Sequence, residues 1–129
     1  MKILLATTAG IEEAAGLALG CCPSFVVALL LGSPLAASAA VALGRLTGAA
    51  LLALGVACWL ARGDEPSSAA RGLVGAMLVY NLGAVVILGT AGLGSKPVGV
   101  ALWPAVILHA AMAAWCLRSR LRNPAPAAK

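Results

Sequence analysis

The sequence has few charged residues, and this scarcity excludes an ordinary soluble domain. Charged residues make up 10% of the 129-residue chain and hydrophobic residues 62%, against about 25% and about 45–50% in typical soluble domains. A small globular domain leaves much of its chain in contact with water, so it could not hide this much apolar surface. We therefore expect lipid to surround most of the chain, which has room for one compact domain.

The residues of conventional active sites are also missing. The sequence contains one histidine, and it lacks a phosphate-binding glycine loop, an HExxH motif, a CxxC motif and a nucleophile elbow. The sequence therefore lacks the residues that most hydrolytic and phosphoryl-transfer mechanisms need. These absences favour a protein that is not an enzyme and that has no resident cofactor, with a soft metal ion as the one exception considered below.

What the chain does contain is four apolar stretches, each long enough to cross a bilayer as a helix of about 20 residues. They cover about residues 3–32, 35–61, 72–92 and 98–117, and breakers such as Gly32-Ser33-Pro34 separate them. The first stretch is predicted as one long, tilted helix, or as a short interfacial helix leading into a spanning one. Because the connections are short, the sequence predicts an all-α, up-down-up-down bundle over residues 1–117. A basic, disordered tail is expected over residues 118–129.

Basic residues predict how the bundle is oriented. If the chain crosses the membrane four times, Lys96 lies on one side of the membrane and Arg45 lies within a span. The other seven basic residues lie on the opposite side: Lys2, Arg62, Arg71, Arg118, Arg120, Arg122 and Lys129. Lys and Arg accumulate in cytoplasmic loops, so both termini are expected in the cytoplasm, with the chain in a bacterial inner membrane. Trp59, Trp103 and Trp115 near the span ends agree. The net charge of +5 then indicates contact with anionic lipid headgroups rather than with nucleic acid.

Six polar residues lie within or close to the apolar spans: Glu12, Glu13, Arg45, Tyr80, Asn81 and His109. A charge at a helix centre costs about 2.5–3.5 kcal/mol, so each should face the bundle interior or water. One interpretation is a site for a proton, a headgroup or a small polar ligand. The other, which we favour, is a structural cluster that pairs Glu12 or Glu13 with Arg45, and Tyr80 or Asn81 with His109. Glu12 shares a helix face with Gly16 and Gly20, so it is the better candidate for the interior.

The adjacent Cys21 and Cys22 can bind a soft ion such as Hg(II), Cu(I) or Zn(II). This pair in the first span resembles that of bacterial mercuric-ion transport proteins. The resemblance implies that the pair receives the metal and passes it inward, here to Cys58 and Cys116, although the second cysteine pair of such transporters is missing. The alternatives are inert packing as small buried hydrophobes, which we favour, and a redox role in an oxidising compartment.

A second resemblance covers most of the chain. Four spans, an early acidic residue (Glu12 or Glu13) and the stretch AVALGRLTGAALLALGVACWLARG resemble small four-helix bacterial membrane proteins of the DoxX-like kind. The resemblance implies an accessory subunit of a membrane oxidoreductase, and it carries over no catalytic residues.

Three functions therefore stay open. The leading one is an accessory or scaffolding subunit that packs against another membrane protein, or a second copy, or binds lipid. The others are a soft-metal carrier that uses Cys21 and Cys22, and a binder of a quinone or lipid-like ligand at the polar cluster.

Overall fold

The computed structural model describes residues 1–64, 67–94 and 98–123. These ranges contain five helices and no β-strand: α1 (Lys2–Cys21), α2 (Pro23–Leu31), α3 (Ser38–Ala61), α4 (Ser68–Gly94) and α5 (Leu102–Arg122). The predicted all-α fold is confirmed. Four of these helices, α1, α3, α4 and α5, are long and apolar enough to cross a membrane. Lys96, Lys129 and the part of the predicted tail beyond residue 123 lie outside the described residues.

The first predicted span is two helices rather than one. The chain leaves the helical conformation at Cys22, which has φ −133° and ψ 57°, and Pro23 then occupies the first turn of α2. Proline has no N–H for the preceding turn, and its ring disfavours helical geometry in the residue before it. With nine residues, α2 is about 13 Å long, well short of a bilayer core of about 30 Å. It ends at Leu31 and is followed by Gly32, whose φ of 83° suits glycine.

The last helix lies later in the chain than predicted. It begins at Leu102 instead of residue 98, and it continues through Arg122 instead of ending at residue 117. Residues 118–122 are therefore helical, not part of a disordered tail. Arg120 and Arg122 lie in the last turn, where positive charge is favourable beside the helix C-terminus. The Asn123 side-chain amide donates to the Ser119 carbonyl at 2.9 Å, which satisfies one carbonyl of that turn.

Glycines bring α1 and α3 into close, antiparallel contact. A side chain added to Gly48 would lie 2.7 Å from the Gly16 carbonyl oxygen and 2.6 Å from the Gly20 nitrogen. Nearer the other end of the pair, Glu13 Cγ would lie 2.7 Å from a side chain on Gly55. Residue numbers that increase along α1 therefore pair with residue numbers that decrease along α3, so the two helices are antiparallel. The small residues of α1 and α3 pack against each other within this one chain, where they let the two backbones approach.

The helices α4 and α5 form the second close, antiparallel pair. Gly92 packs against Leu102 and Trp103 at one end of the pair, and Gly75 packs against the Arg120 guanidinium at the other. The start of α4 is fixed by Ser67, whose hydroxyl oxygen accepts a hydrogen bond from the Ala70 N–H at 3.1 Å.

The hydrophobic core occupies one half of the bundle. It lies at the end that carries Met1 and Asn123, and its buried residues come from four helices: Leu4, Leu5, Ala9, Cys58, Ala70, Val74, Met77, Met112 and Cys116. In the other half, a cleft separates the two helix pairs instead of a packed core.

The segment before α5 joins the two pairs at the far end of this cleft. The Gly99 N–H donates to the Leu30 carbonyl at 3.2 Å, and the Ala101 N–H donates to the Leu29 carbonyl at 2.9 Å. Gly99 lies directly against the Leu29 carbonyl, and a side chain there would collide with it. These contacts hold the end of α2 over the cleft.

Candidate functional site

A polar cluster lies at the boundary between the packed core and the cleft. It consists of Glu12 on α1, Tyr80 and Asn81 on α4, and His109 on α5. Glu12 is 3% exposed and Asn81 is 1% exposed, whereas Tyr80 and His109 are half-buried. Three of the four long helices therefore contribute a polar side chain to one place.

Asn81 is held at both ends of its amide. Its Nδ2 donates to the Met77 carbonyl at 2.7 Å, and its Oδ1 lies 2.8 Å from His109 Nδ1. Because Oδ1 only accepts, His109 Nδ1 must carry the proton. A neutral ring then has its lone pair on Nε2, free to accept a hydrogen bond from another group.

Tyr80 packs against this pair. Its ring meets the His109 ring edge-on, with centroids 5.6 Å apart and planes at 82°, a favourable geometry for aromatic rings. Glu12 lines the cleft together with Tyr80 and His109. The four side chains thus form one cluster, contributed by α1, α4 and α5.

The cleft beside the cluster has a volume of about 620 Å³. Its walls come from all five helices, and Glu12, Tyr80 and His109 are its polar residues together with Thr47. The Thr47 hydroxyl already donates to the Leu43 carbonyl at 2.9 Å. The remaining walls are apolar: Ile11, Ala15, Leu19, Val26, Leu29, Leu30, Leu51, Val79, Gly83, Ala84, Ile87, Leu88, Ala101, Ala105 and Leu108. The cleft therefore combines a long apolar chamber with one polar end.

The other two residues of the predicted cluster lie elsewhere. Glu13 points toward α3, where its Cγ packs beside Gly55. Arg45 is exposed, and the neighbouring Gly44 packs against Pro23 at the start of α2. Pro23 is about ten residues, or roughly 15 Å of helix, from Glu13. The predicted ion pair between Arg45 and Glu12 or Glu13 is therefore not formed.

The four cysteines occupy opposite halves of the molecule. Cys21 and Cys22 are exposed at the end of α1, whereas Cys58 and Cys116 are buried in the core. Among the described residues, no group of three or more His, Cys, Asp or Glu side chains is placed to hold a metal ion.

The apolar walls of the cleft are the part of the site that sequence reasoning missed. The contribution of α2, through Val26, Leu29 and Leu30, depends on the break at Cys22. A proline within an apolar stretch was the signal for that break, because it predicts that a helix ends or bends just before it. Once α2 is separate from α1, it lies over the end of the cleft.

Comparison with protein-family models, curated proteins and solved structures finds no match to this chain. The geometry of the cleft and its polar end is therefore the basis for a functional proposal.

Proposed function

We propose that this protein crosses a membrane four times and binds a long apolar molecule with a hydroxyl-bearing head, such as a lipid or a quinol, in the cleft. The observation that carries the proposal is the cleft of about 620 Å³ with apolar walls and a single polar end. Ligand pockets are typically about 300–1,000 Å³, mostly apolar, with a few polar groups that orient the ligand.

The orientation of the ligand follows from the polar end. The His109 Nε2 lone pair accepts a hydrogen bond, the Glu12 carboxyl also accepts, and the Tyr80 hydroxyl both accepts and donates. A hydroxyl-bearing head group, such as that of a lipid or a quinol, complements them because it too both donates and accepts. The apolar tail then lies among Leu19, Leu88 and the residues of α2.

The membrane placement is supported by the ends of the helices. Met1 and Asn123 line one surface pocket, so α1 begins and α5 ends on the same side of the bundle. Arg62, at the end of α3, and Arg71, in the first turn of α4, lie in the connection that the antiparallel packing places on that side. This basic side is proposed to face the cytoplasm of a bacterial inner membrane. Glu12 then lies about 15 Å along α1, near mid-membrane.

The experiment is to purify the protein in mild detergent and identify co-purifying organic-soluble molecules by mass spectrometry. Ala84→Trp fills the cleft, and Ala76→Trp adds the same side chain at an exposed position of the same helix. We expect a hydroxyl-bearing amphiphile that co-purifies with the wild type and with Ala76→Trp, and that is largely lost from Ala84→Trp. Equal retention by the two variants, or no enrichment over an unrelated membrane protein, would overturn the proposal.

The other two functions stay predictions. An accessory role requires another membrane protein in the same mild-detergent preparation. A soft-metal carrier predicts greater Hg(II) or Cu(I) uptake by cells expressing the wild type than by cells expressing Cys21→Ser/Cys22→Ser, and equal uptake would eliminate it.

A further inference from the structure

A second cavity, of about 470 Å³, lies at the end of the molecule opposite α2. The lining of this cavity is mostly polar, whereas the lining of the cleft is mostly apolar. The residues that line the cavity are Met1, Trp115, Arg118, Ser119, Arg122 and Asn123. None of these residues belongs to the polar cluster, so this cavity is separate from the proposed ligand cleft.

The spacing of four residues on α5 explains the chemistry of this cavity. Trp115, Arg118, Ser119 and Arg122 are three or four residues apart, so they share one face of the helix. Arg120 lies on a different face and packs against Gly75 of α4. Two guanidinium groups, one turn apart, are thereby directed to the same cavity, beside a tryptophan.

Ser119 supplies an independent sign that the cavity has an unfilled partner. Its side chain is 8% exposed, and its hydroxyl oxygen is buried without a hydrogen-bond partner among the described residues. A buried hydroxyl without a partner is costly. The nearby Asn123 amide does not serve it, because that amide donates to the Ser119 backbone carbonyl at 2.9 Å.

We propose that this cavity binds the phosphate group of an anionic membrane lipid. A phosphate presents several oxygens, which two guanidinium groups bind with matching geometry. The Ser119 residue lines the same cavity, and a change of its χ1 rotamer lets its hydroxyl donate to another phosphate oxygen. The partial negative charge of the helix C-terminus opposes an anion, and the two full positive charges exceed it. The position at the end of a predicted membrane helix, beside a tryptophan, is the headgroup level of a bilayer. The proposal does not depend on the ligand of the cleft.

Trp115 allows binding to be measured directly. In a Trp59→Phe/Trp103→Phe background it is the only tryptophan, and its emission reports on the cavity that it lines. The detergent-purified full chain is titrated with short-chain phosphatidylglycerol, short-chain phosphatidylcholine, glycerol phosphate and inorganic phosphate. Arg118→Gln/Arg122→Gln removes the two charges in the cavity. Arg45→Gln/Arg62→Gln removes two charges outside it and serves as the matched control.

We expect saturable binding of phosphatidylglycerol that weakens at least about tenfold in Arg118→Gln/Arg122→Gln, since charged hydrogen bonds contribute about 1.5–3 kcal/mol. Ser119→Ala, which conserves charge, should weaken it several-fold, and the control variant should bind like the background protein. Stronger binding of phosphatidylglycerol than of the two soluble phosphates supports a lipid source, and equal binding of all three supports free phosphate as the source. Equal binding of phosphatidylcholine, or equal loss in the control variant, would overturn the proposal.

Discussion

At the residue scale, the Asn81 side chain is buried and its amide is bonded at both ends. Its amide bonds to the Met77 carbonyl on one side and to His109 on the other, so its orientation determines which histidine nitrogen carries the proton. Half-buried His109 is thereby presented to the cleft as an acceptor. The same hydrogen bond between Asn81 and His109 can therefore stabilise the bundle and orient His109 for ligand binding, so the structural and the binding interpretations are compatible.

This bond predicts a measurable coupling between the two residues. Asn81→Leu, His109→Phe and the double variant form a double-mutant cycle, read by detergent unfolding of the purified protein. We expect a coupling free energy of about 0.6 kcal/mol and no more than about 1.7 kcal/mol, as double-mutant cycles find for hydrogen bonds between membrane helices. Thr90→Val is the control, because its exposed hydroxyl bonds only within its own helix, and it should show no coupling to His109→Phe. Additive effects of Asn81→Leu and His109→Phe would contradict the proposed bond.

At the scale of helices, the contact between α1 and α3 depends on the absence of a side chain at Gly48. Backbone atoms of Gly16 and Gly20, not flexible side-chain ends, occupy the space that a β-carbon would need. Two backbones must therefore separate if any other residue is placed there. Since α1 carries Glu12, such a separation also moves the polar cluster.

We expect Gly48→Ala to destabilise the protein by about 1–3 kcal/mol, the usual cost of overpacking. Gly72→Ala is the matched control, because nothing lies within 4 Å of its added β-carbon and alanine is the better helix former by up to about 1 kcal/mol. Unfolding of both variants in detergent, followed by circular dichroism, makes the comparison. A Gly48→Ala protein as stable as Gly72→Ala would show that α1 and α3 do not approach this closely.

The helices were easier to predict than the site for a physical reason. Apolar length is a local property, so the sequence predicted four long apolar helices and their approximate ends. Convergence of Glu12, Tyr80 and His109 depends on helix rotation, which hydropathy does not determine. Arg45 shows the consequence: its predicted depth fitted a pairing with Glu12 or Glu13, yet its neighbour Gly44 packs against Pro23 at the start of α2 instead. The cleft also depends on a contact between residues far apart in sequence, namely the hydrogen bonds between the end of α2 and the segment before α5.

At the scale of the whole molecule, the two halves of the bundle have different chemistry. One half is packed with apolar side chains and ends in the basic surface around Arg118 and Arg122. The other half holds the cleft and ends at α2 and the segment before α5. If the basic end faces the cytoplasm, the cleft lies in the outer half of the bilayer, and we propose that its ligand enters from the outer leaflet.

This arrangement depends on α2 not crossing the membrane, which can be tested with reporter fusions in bacterial cells. Alkaline phosphatase is active only outside the cytoplasm, and green fluorescent protein serves as the converse reporter. Both are fused after Ser33, after Asp64 and after the last residue. We expect active phosphatase only after Ser33, and fluorescence only after Asp64 and at the C-terminus, because four crossings return the chain to its starting side. Active phosphatase at the C-terminus would mean either an odd number of crossings or an inverted bundle. In that case the basic end around Arg118 would face away from the cytoplasm, and the proposed outer-leaflet entry to the cleft would be wrong.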